Sequence, residues 1–461
     1  MSILASFVVP HPPLIIPEIG RGGEKQIEET TRAYESVADM ISGLQPETIV
    51  IISPHATMYS DYFHISPGVE ARGSFAGFHA GDVMFIEEYD LGLVQKITEM
   101  AKTKDFPAGT LGEVDKALDH GTMVPLWFIR RKYKGGRIVR IGLSGLPLTD
   151  HYRMGQIIRD AIDALGRRAV IVASGDLSHK LQEYGPYGYA PEGPVYDNRI
   201  MDVLSRGAFG ELLDFDEAFC DKAAECGHRS FVIMAGALDG IEVDASKLSH
   251  QDVTGVGYGI CTFLPTEKND SRCFLNEYLE RVRKERDMAM KNADPYVELA
   301  YKSLESYILR KEVIEFPEGL PEEMLRTRAG AFVSIHEHGR LRGCIGTIGP
   351  TMDNVALEII NNAISASTRD PRFSPIDASE LEWLEINVDV LGEPEFIDSL
   401  DELDVKKYGV IVSSGRKRGL LLPDLDGVDT VEEQVAIAMQ KGGIYEDEEI
   451  QLQRFEVVRH T

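Results

Sequence analysis

Three apolar segments of this sequence each run into a histidine, the side chain best suited to bind a transition metal or to transfer a proton near neutral pH. The segments and their histidines are 3–9 with His11, 49–52 with His55, and 169–173 with His179. A single histidine after an apolar run is usually an ordinary loop residue. Three in the same relation to three runs indicate a shared site, because open α/β sheets carry their chemistry just beyond the carboxyl ends of buried strands.

Parallel strands would bring these histidines together. The runs are rich in Ile and Val, as is typical of strands covered on both faces. Segment 24–44 has apolar residues at helical spacing and separates the first two runs, which gives the order strand, helix, strand. A right-handed crossover then makes the two strands parallel, with both carboxyl ends at one edge of the sheet. We therefore predict an α/β N-terminal domain with a mostly parallel central sheet and helices on both faces.

A metal site is the chemistry that this arrangement favours. Two imidazoles and one carboxylate bind ferrous iron while leaving positions open for substrate and O₂, whereas a thiolate in place of the carboxylate favours copper, zinc or a differently poised iron. His11 and His55 are the predicted imidazole ligands. The adjacent residues Glu225 and Cys226 are both candidates for the third ligand.

Two further histidines are candidates for roles in catalysis and substrate binding beside the metal. His179 is predicted to be a general acid/base that does not bind the metal itself. His120 lies in the turn-like sequence Asp119-His120-Gly121 and is predicted to hold substrate oxygens. Asp119 next to it could orient an imidazole.

The composition narrows the choice of partners and compartment. The chain has 48 Lys and Arg against 75 Asp and Glu, a formal net charge of −27, so it should repel nucleic acids and anionic membranes. The five cysteines are odd in number and form no CxxC pair, which predicts reduced thiols. No segment approaches the roughly 18 consecutive apolar residues of a membrane helix. These features favour a cytoplasmic protein and leave its oligomeric state open.

The length and the pattern of elements predict two domains. A chain of 461 residues exceeds what one hydrophobic core supports. The polar segment 264–271 is the best linker, so we assign 1–265 to the N-terminal domain, 266–291 to a linker with a connecting helix, and 292–461 to a C-terminal domain. Beyond residue 317 short strands alternate with turns and helices, which predicts an α+β fold.

The C-terminal domain carries a second group of candidate residues. Arg342 and Cys344 lie in a predicted hairpin, and Arg369 and Arg372 follow the next helix. Glycines on both sides of Cys344 would let a backbone or a ligand approach closely, and the three arginines could bind an anionic group. The alternative is a tight hairpin with a buried thiol and arginines paired to acidic side chains.

Four motifs of the N-terminal domain together resemble the class III extradiol ring-cleavage dioxygenases of the catalytic B-subunit type. They are Pro10-His11-Pro12-Pro13, Ser53-Pro54-His55-Ala56, Leu118-Asp119-His120-Gly121 and Ser174-Gly175-Asp176-Leu177-Ser178-His179. The resemblance covers about residues 1–265. It implies that His11 and His55 are metal ligands, that His179 is the acid/base, and that His120 is on the substrate side.

The third ligand departs from that family. There a glutamate near the end of the domain completes the site, whereas Glu225-Cys226-Gly227-His228 is closer to the related Memo branch, in which a cysteine occupies the position. Which of Glu225 and Cys226 binds the metal therefore stays open.

The C-terminal domain is similar to the AMMECR1 family over roughly residues 292–461. The motifs are Leu341-Arg342-Gly343-Cys344-Ile345-Gly346, Thr368-Arg369-Asp370-Pro371-Arg372-Phe373 and Gly427-Val428-Asp429-Thr430-Val431-Glu432-Glu433-Gln434. In bacteria and archaea, Memo-like and AMMECR1 proteins resemble parts of a system that also includes a radical-SAM protein. The resemblance implies such a partner here.

Two functions follow as hypotheses. The first is an oxidoreductase, a non-haem Fe(II)-dependent dioxygenase-like enzyme acting on a catecholic or related aromatic small molecule. The second is a Memo-like metal-binding component without dioxygenase activity, working in a multi-protein system with a radical-SAM partner. Copper or zinc would replace iron if Cys226 is a ligand.

Overall fold

A computed structural model describes residues 2–291, 293–337, 340–378, 380–425, 427–445 and 447–461. The chain divides into two compact units, Met1–Glu280 and Arg281–Thr461, and the division falls within the segment 266–291. Strand β10 (Tyr258–Lys268) extends past residue 265, so the first three residues of the predicted linker belong to the N-terminal sheet.

The N-terminal unit is built on a six-stranded sheet with the strand order β7-β2-β8-β1-β10-β9. The strands of this sheet are β1 Ile3–Val9, β2 Thr48–Ile52, β7 Arg137–Ile141, β8 Ala169–Ser174, β9 Ile241–Gln251 and β10 Tyr258–Lys268. The first four strands in spatial order are parallel, and β10 and β9 add an antiparallel edge. Every residue of β2 and β8 is buried, which explains their continuous apolar sequences.

Four further strands and the helices complete this unit. The further strands are β3 Phe63–His64, β4 Glu70–Phe75, β5 Ala80–Glu88 and β6 Ala108–Gly109. The helices are α1 Pro17–Gly20, α2 Glu28–Leu44, α3 Leu91–Thr103, α4 His120–Lys132, α5 Leu148–Leu165, α6 Glu192–Arg206, α7 Glu217–Ala223, α8 His228–Ala237 and α9 Phe274–Lys291, the last of which crosses the division between the units. The core has two parts, one on each face of the sheet, with α3, α5, α6 and α8 contributing to one and α2 and α4 to the other.

The sequence Asp119-His120-Gly121 starts a helix instead of forming a turn. Asp119 is the N-cap of α4, and its carboxylate accepts a hydrogen bond from the Thr122 N–H at 3.0 Å. An aspartate at this position satisfies a backbone donor that a helix start leaves without a partner. The cap and the buried apolar residues that follow outweigh the low helix propensity of Gly121 and Pro125.

The C-terminal unit is an antiparallel sheet packed against helices. Its strand order is β12-β11-β13-β17-β15-β16, with β14 also paired to β17. The elements are α10 Pro295–Arg310, α11 Glu322–Arg326, β11 Ala331–Glu337, β12 Arg340–Gly346, α12 Val355–Thr368, β13 Leu384–Leu391, β14 Glu395–Ile397, β15 Tyr408–Ser414, β16 Lys417–Leu421, α13 Val431–Gly442 and β17 Gln451–His460. The prediction of an α/β unit followed by an α+β unit is confirmed. Within the described ranges, no helix is both long and apolar enough to cross a lipid bilayer.

Candidate metal centre

His11 and His55 meet at the carboxyl edge of the parallel strands. His11 follows β1 and His55 follows β2, and β8 lies between these two strands. The Nε2 atoms of the two imidazoles are 3.0 Å apart, and the rings are nearly perpendicular. His11 is buried, whereas His55 keeps an exposed edge. The paired nitrogens therefore lie at the boundary between the protein interior and solvent.

Cys226 joins this pair from the loop before helix α8. Its Sγ lies 3.6 Å from His11 Nε2 and accepts a hydrogen bond from the Asp176 N–H at 3.3 Å. One donor atom from each of His11, His55 and Cys226 lies within 4.8 Å of the others. Two imidazoles and one thiol thus form one cluster of possible metal ligands.

Two glycines allow the end of β8 to come this close to the start of α8. A Cβ on Gly175 would lie 2.1 Å from the Gly227 Cα, and a Cβ on Gly227 would lie 2.4 Å from the Phe231 ring. The first contact is with backbone, so only glycine fits at position 175, and a side chain at position 227 would require the Phe231 ring to move. This backbone contact carries Cys226 to its place beside His11.

Glu225 points elsewhere. Its carboxylate accepts a hydrogen bond from the His228 N–H at 2.6 Å, at the start of α8, where the helix dipole favours a negative charge. Burial raises the pKa of Glu225 to about 7. Of the two adjacent candidates for the third ligand, the structure brings the Cys226 thiol to the histidines and the Glu225 carboxylate to the helix.

The protonation states of the histidines and of Cys226 favour the binding of a cation. Burial, reinforced by the neighbouring imidazoles, lowers the pKa of His11 well below its usual value. Burial also lowers the pKa of His55, and together with His55 it lowers that of His120 to about 4. Burial, with the nearby carboxyls of Asp176 and Glu225, raises the pKa of the Cys226 thiol. The imidazoles are therefore neutral at pH 7, with lone pairs available, and a cation would favour the thiolate.

Two of the three donor-atom separations fit atoms that share a transition metal, and the third pair lies within 4.8 Å. As the angle at the ion opens from a right angle to the tetrahedral value, two nitrogens bound at about 2.1 Å lie about 3.0 to 3.4 Å apart, and a nitrogen and a thiolate sulfur lie about 3.1 to 3.6 Å apart. The observed separations are 3.0 Å between the His11 and His55 nitrogens and 3.6 Å between His11 Nε2 and Cys226 Sγ. Imidazole and thiolate together suit zinc, copper or iron.

His179 is held near the cluster in a defined tautomer. Its Nδ1 lies 2.6 Å from the Ala224 carbonyl oxygen, which can only accept, so Nδ1 carries the proton and Nε2 has a free lone pair. Burial lowers the pKa of His179 and outweighs the opposing effect of the hydrogen bond to Ala224. The ring of the exposed Tyr187 meets that of His179 edge-on at 5.0 Å. His179 is thus a neutral base near enough to His11 and His55 for their charges to interact.

His120 lies against the other side of the pair. Its ring centroid is 4.0 Å from that of His55 and 5.3 Å from that of His11, and Phe78 packs edge-on at 5.5 Å. The first turn of α4 therefore presents an imidazole beside the donor atoms, and Phe78, from the segment between β4 and β5, packs against it. The structure brings all four histidines that the sequence singled out into one site.

A polar network that sequence reasoning largely missed supports this site. Asp119 accepts hydrogen bonds from the Ser53 and Thr122 hydroxyls at 2.5 and 2.9 Å, and the Ser53 hydroxyl accepts from the His55 N–H at 3.3 Å. The buried Arg140 guanidinium lies 3.6 Å from the Asp119 carboxylate. An arginine inside the apolar strand β7 was the available sequence signal, because a buried guanidinium needs an acidic partner.

The arginines of the C-terminal unit are not a free anion site. Arg342 pairs with Glu380 at 2.6 Å, and Arg372 pairs with the buried Asp370 at 2.7 Å, which holds the pKa of Asp370 below its usual range. Arg369 is exposed. Two of the three candidate arginines are thus already neutralised by acidic side chains.

Cys344 and its glycines have structural partners. The Cys344 Sγ accepts a hydrogen bond from the Ser334 hydroxyl at 3.2 Å, and a Cβ on Gly343 would lie 2.3 Å from the Ala366 carbonyl oxygen of α12. The close approach that the glycine allows is therefore that of a helix backbone. All five cysteines of the chain are free thiols.

Comparison with known families matches both units. Residues 5–261 match the catalytic LigB subunit of aromatic ring-opening dioxygenase, and residues 297–460 match AMMECR1. The first match covers more than half of the chain and contains all the residues of the candidate metal centre.

Relatives match the whole chain or a part of it. A protein of Clostridium acetobutylicum is 43% identical over 100% of this chain and 99% of its own length. A protein of Thermotoga maritima is 53% identical over 36% of this chain and 97% of its own length.

Two solved structures are similar to parts of the chain. An uncharacterized protein of Pyrococcus horikoshii has a TM-score of 0.33 and 31% identity, covering 36% of this chain and 88% of its own. An uncharacterized protein of Escherichia coli K12 has a TM-score of 0.38 and 14% identity, covering 56% of this chain and 99% of its own.

Proposed function

We propose that this chain, which belongs to the family of the catalytic LigB subunit of aromatic ring-opening dioxygenase and carries an AMMECR1 domain, is a metal-dependent oxidoreductase. Its substrate would be a catecholic or related aromatic small molecule, and its metal non-haem iron(II). The observation that carries the proposal is the convergence of two imidazoles and a thiol beside a neutral, oriented histidine.

His11, His55 and Cys226 would hold the ion. When bound, it would supply a Lewis acid for substrate hydroxyl groups and a site at which O₂ reacts. The three protein donors lie on one side, and the exposed edge of His55 marks the side that substrate can reach.

His179 would move the substrate proton. Because Nδ1 donates to the Ala224 carbonyl, the lone pair on Nε2 can accept a proton from a substrate hydroxyl and later return it. The lowered pKa of His179 keeps this nitrogen unprotonated at pH 7 before substrate arrives. His120, beside His55, would orient the substrate oxygens, and Phe78 would contact an aromatic ring.

A second function is favoured by the identity of the third donor. A thiolate in place of a carboxylate shifts the preference of the site toward copper or zinc. With Cys226 and not Glu225 beside His11, the domain would instead be a Memo-like metal-binding component without dioxygenase activity. It would then act with a radical-SAM protein, the partner that the pairing of Memo-like and AMMECR1 domains implies.

One experiment separates these functions. The full chain is loaded with Fe(II) under nitrogen, supplied with a panel of catechols and then with O₂, while oxygen uptake and ring-opened product are followed. We expect turnover by the wild type and its loss in His179→Gln with iron content unchanged. Iron bound without oxygen uptake across the panel would reject the dioxygenase and favour the second function.

A further inference from the structure

The hydroxyl of Ser174 connects His11 to helix α4. Ser174 Oγ lies 3.0 Å from His11 Nδ1 and 2.6 Å from the carbonyl oxygen of Gly121. A serine hydroxyl has one hydrogen, and a carbonyl oxygen can only accept. The hydrogen of Ser174 is therefore donated to Gly121, and Ser174 must accept from His11, which puts the imidazole proton on Nδ1.

The Gly121 carbonyl is available for this bond because of a proline. In an α-helix the carbonyl of residue 121 normally accepts from the N–H of residue 125. Residue 125 is Pro125, which lies inside α4 and has no N–H. Because of Pro125, the Gly121 carbonyl lacks its usual helical donor, and the Ser174 hydroxyl donates to it instead.

The backbone around His11 is hydrogen-bonded to the end of strand β8. The His11 N–H donates to the Asp176 carboxylate at 2.7 Å, and the Gly175 N–H donates to the Val9 carbonyl at 3.0 Å. The end of β8 is thereby tied to the end of β1 on both sides of the imidazole. These bonds fix the backbone of His11 beside the end of β8, within reach of the Ser174 hydroxyl.

The tautomer fixed in this way is the one that a metal requires. With the proton on Nδ1, the Nε2 lone pair of His11 points toward His55 Nε2 and Cys226 Sγ. The other tautomer would direct an N–H into the space where the three donor atoms converge. A hydrogen bond to the second imidazole nitrogen commonly sets the tautomer and orientation of a metal-binding histidine.

We infer that Ser174 and Pro125 are positioning residues of the metal centre: Pro125 leaves the Gly121 carbonyl to Ser174, and Ser174 fixes His11 in its metal-binding tautomer. The inference rests on the proposed metal-binding function. It assigns a role to strand β8, which contributes none of the three donor atoms.

Zinc affinity of the full chain tests this role. Zn(II) binding is measured by competition with a chromophoric chelator for the wild type, Ser174→Ala, Ser174→Thr and Pro125→Ala. We expect Ser174→Ala to weaken binding about 10- to 100-fold, the usual effect of removing such a partner, and Ser174→Thr to retain most of the affinity because its hydroxyl remains. Pro125→Ala should weaken binding by a smaller factor, since its new N–H competes for the Gly121 carbonyl.

Ser6→Ala is the matched control. Ser6 lies in the neighbouring strand β1, is buried, and has a hydroxyl without a hydrogen-bond partner among the described residues. We expect its zinc affinity to equal that of the wild type. Equal losses in Ser6→Ala and Ser174→Ala would mean that any buried serine in the sheet matters, and would overturn the inference.

The tautomer itself can be read without metal. In chelator-treated protein labelled with ¹⁵N-histidine, NMR reports which nitrogen of each imidazole carries the proton, and His11→Gln assigns the His11 signals. We expect the Nδ1–H tautomer in the wild type and a mixture in Ser174→Ala. An Nε2–H tautomer in the wild type, or wild-type zinc affinity in Ser174→Ala, would overturn the inference. Failure of the wild type to bind zinc would instead contradict the proposed function, and the NMR result would still decide the tautomer.

Discussion

Replacing Asp119 with asparagine should destabilise the N-terminal unit, because it removes the charge that faces Arg140. The Arg140 side chain is 1% exposed, and Asp119 is the one acidic side chain within 4.0 Å of it among the described residues. The other partners of the guanidinium are the Ser66 hydroxyl and the carbonyl oxygens of Ala117 and Asp115. None of these carries a charge.

The size of the effect follows from this burial. Removing one partner of a buried ion pair costs about 3–5 kcal/mol, because the other charge stays buried without compensation. Asp119 is 11% exposed and lies 3.6 Å from Arg140, which puts the expected cost of Asp119→Asn at the lower end, about 3 kcal/mol. The hydrogen bonds from Ser53 and Thr122 can be kept in part by the asparagine oxygen.

The assay must report on the N-terminal unit alone. The chain has two tryptophans, so a Trp383→Phe background leaves Trp127 of helix α4 as the fluorescent probe. Urea unfolding is then compared for the background, Asp119→Asn and Asp115→Asn. Asp115 is the control, because it is exposed and Arg140 contacts its backbone oxygen and not its carboxylate. A loss below about 1 kcal/mol for Asp119→Asn, or equal losses in both variants, would refute the reasoning.

Three further predictions concern other parts of the fold. Burial lowers the pKa of His151 to about 3, so between about pH 6.5 and pH 3 the unfolded chain binds a proton that the folded chain does not. The free energy of unfolding should therefore fall as the pH drops through this range. In urea titrations His151→Gln should make this fall less steep, and an unchanged slope would contradict the prediction. Gly175→Ala should abolish metal binding by forcing β8 away from α8, whereas Gly43→Ala, with open space around it, should bind normally; metal retention by Gly175→Ala would contradict the contact. Gly343→Ala should lower the melting temperature of the C-terminal unit in calorimetry, because the new Cβ would meet the backbone of α12. Gly349 has open space around it, so Gly349→Ala should lower the melting temperature less. Equal melting temperatures of the two variants would count against the packing of Gly343 on α12.

The sequence was sufficient for the fold class and for placing His11, His55 and His179 beyond the ends of three neighbouring strands. Strands β2 and β8 are continuous apolar runs, and such runs identify parallel strands whose carboxyl ends share an edge. The positions of His11, His55 and His179 follow from that regularity alone. Local periodicity is enough to predict the position of a side chain wherever the residue lies within a few positions of a strand end.

The third donor could not be predicted in this way. The choice between Glu225 and Cys226 depends on contact of Gly175 with Gly227, residues far apart in sequence. The N-terminus of α8 then attracts the Glu225 carboxylate and leaves the thiol beside His11. Contacts between backbone segments that are far apart in the sequence leave no local sequence pattern from which they could be predicted.

The C-terminal arginines show the same limit. Arg342 and Arg372 have the composition of an anion site, but Glu380 and Asp370 neutralise them in the fold. Pairing of charges across loops depends on tertiary structure. Arg342 and Arg372 are paired as the alternative of a tight hairpin predicts, whereas the Cys344 thiol, which that alternative buries, is only half-buried.

The central claim is that His11, His55 and Cys226 bind one metal ion. Co(II) titration of the chelator-treated full chain under nitrogen tests it directly, because a thiolate ligand gives a charge-transfer band that imidazole and carboxylate do not. We expect one cobalt per chain with that band, its loss in Cys226→Ser, and its retention in Glu225→Gln. Cobalt bound without the band, or a band and a stoichiometry unchanged by Cys226→Ser, would contradict the account.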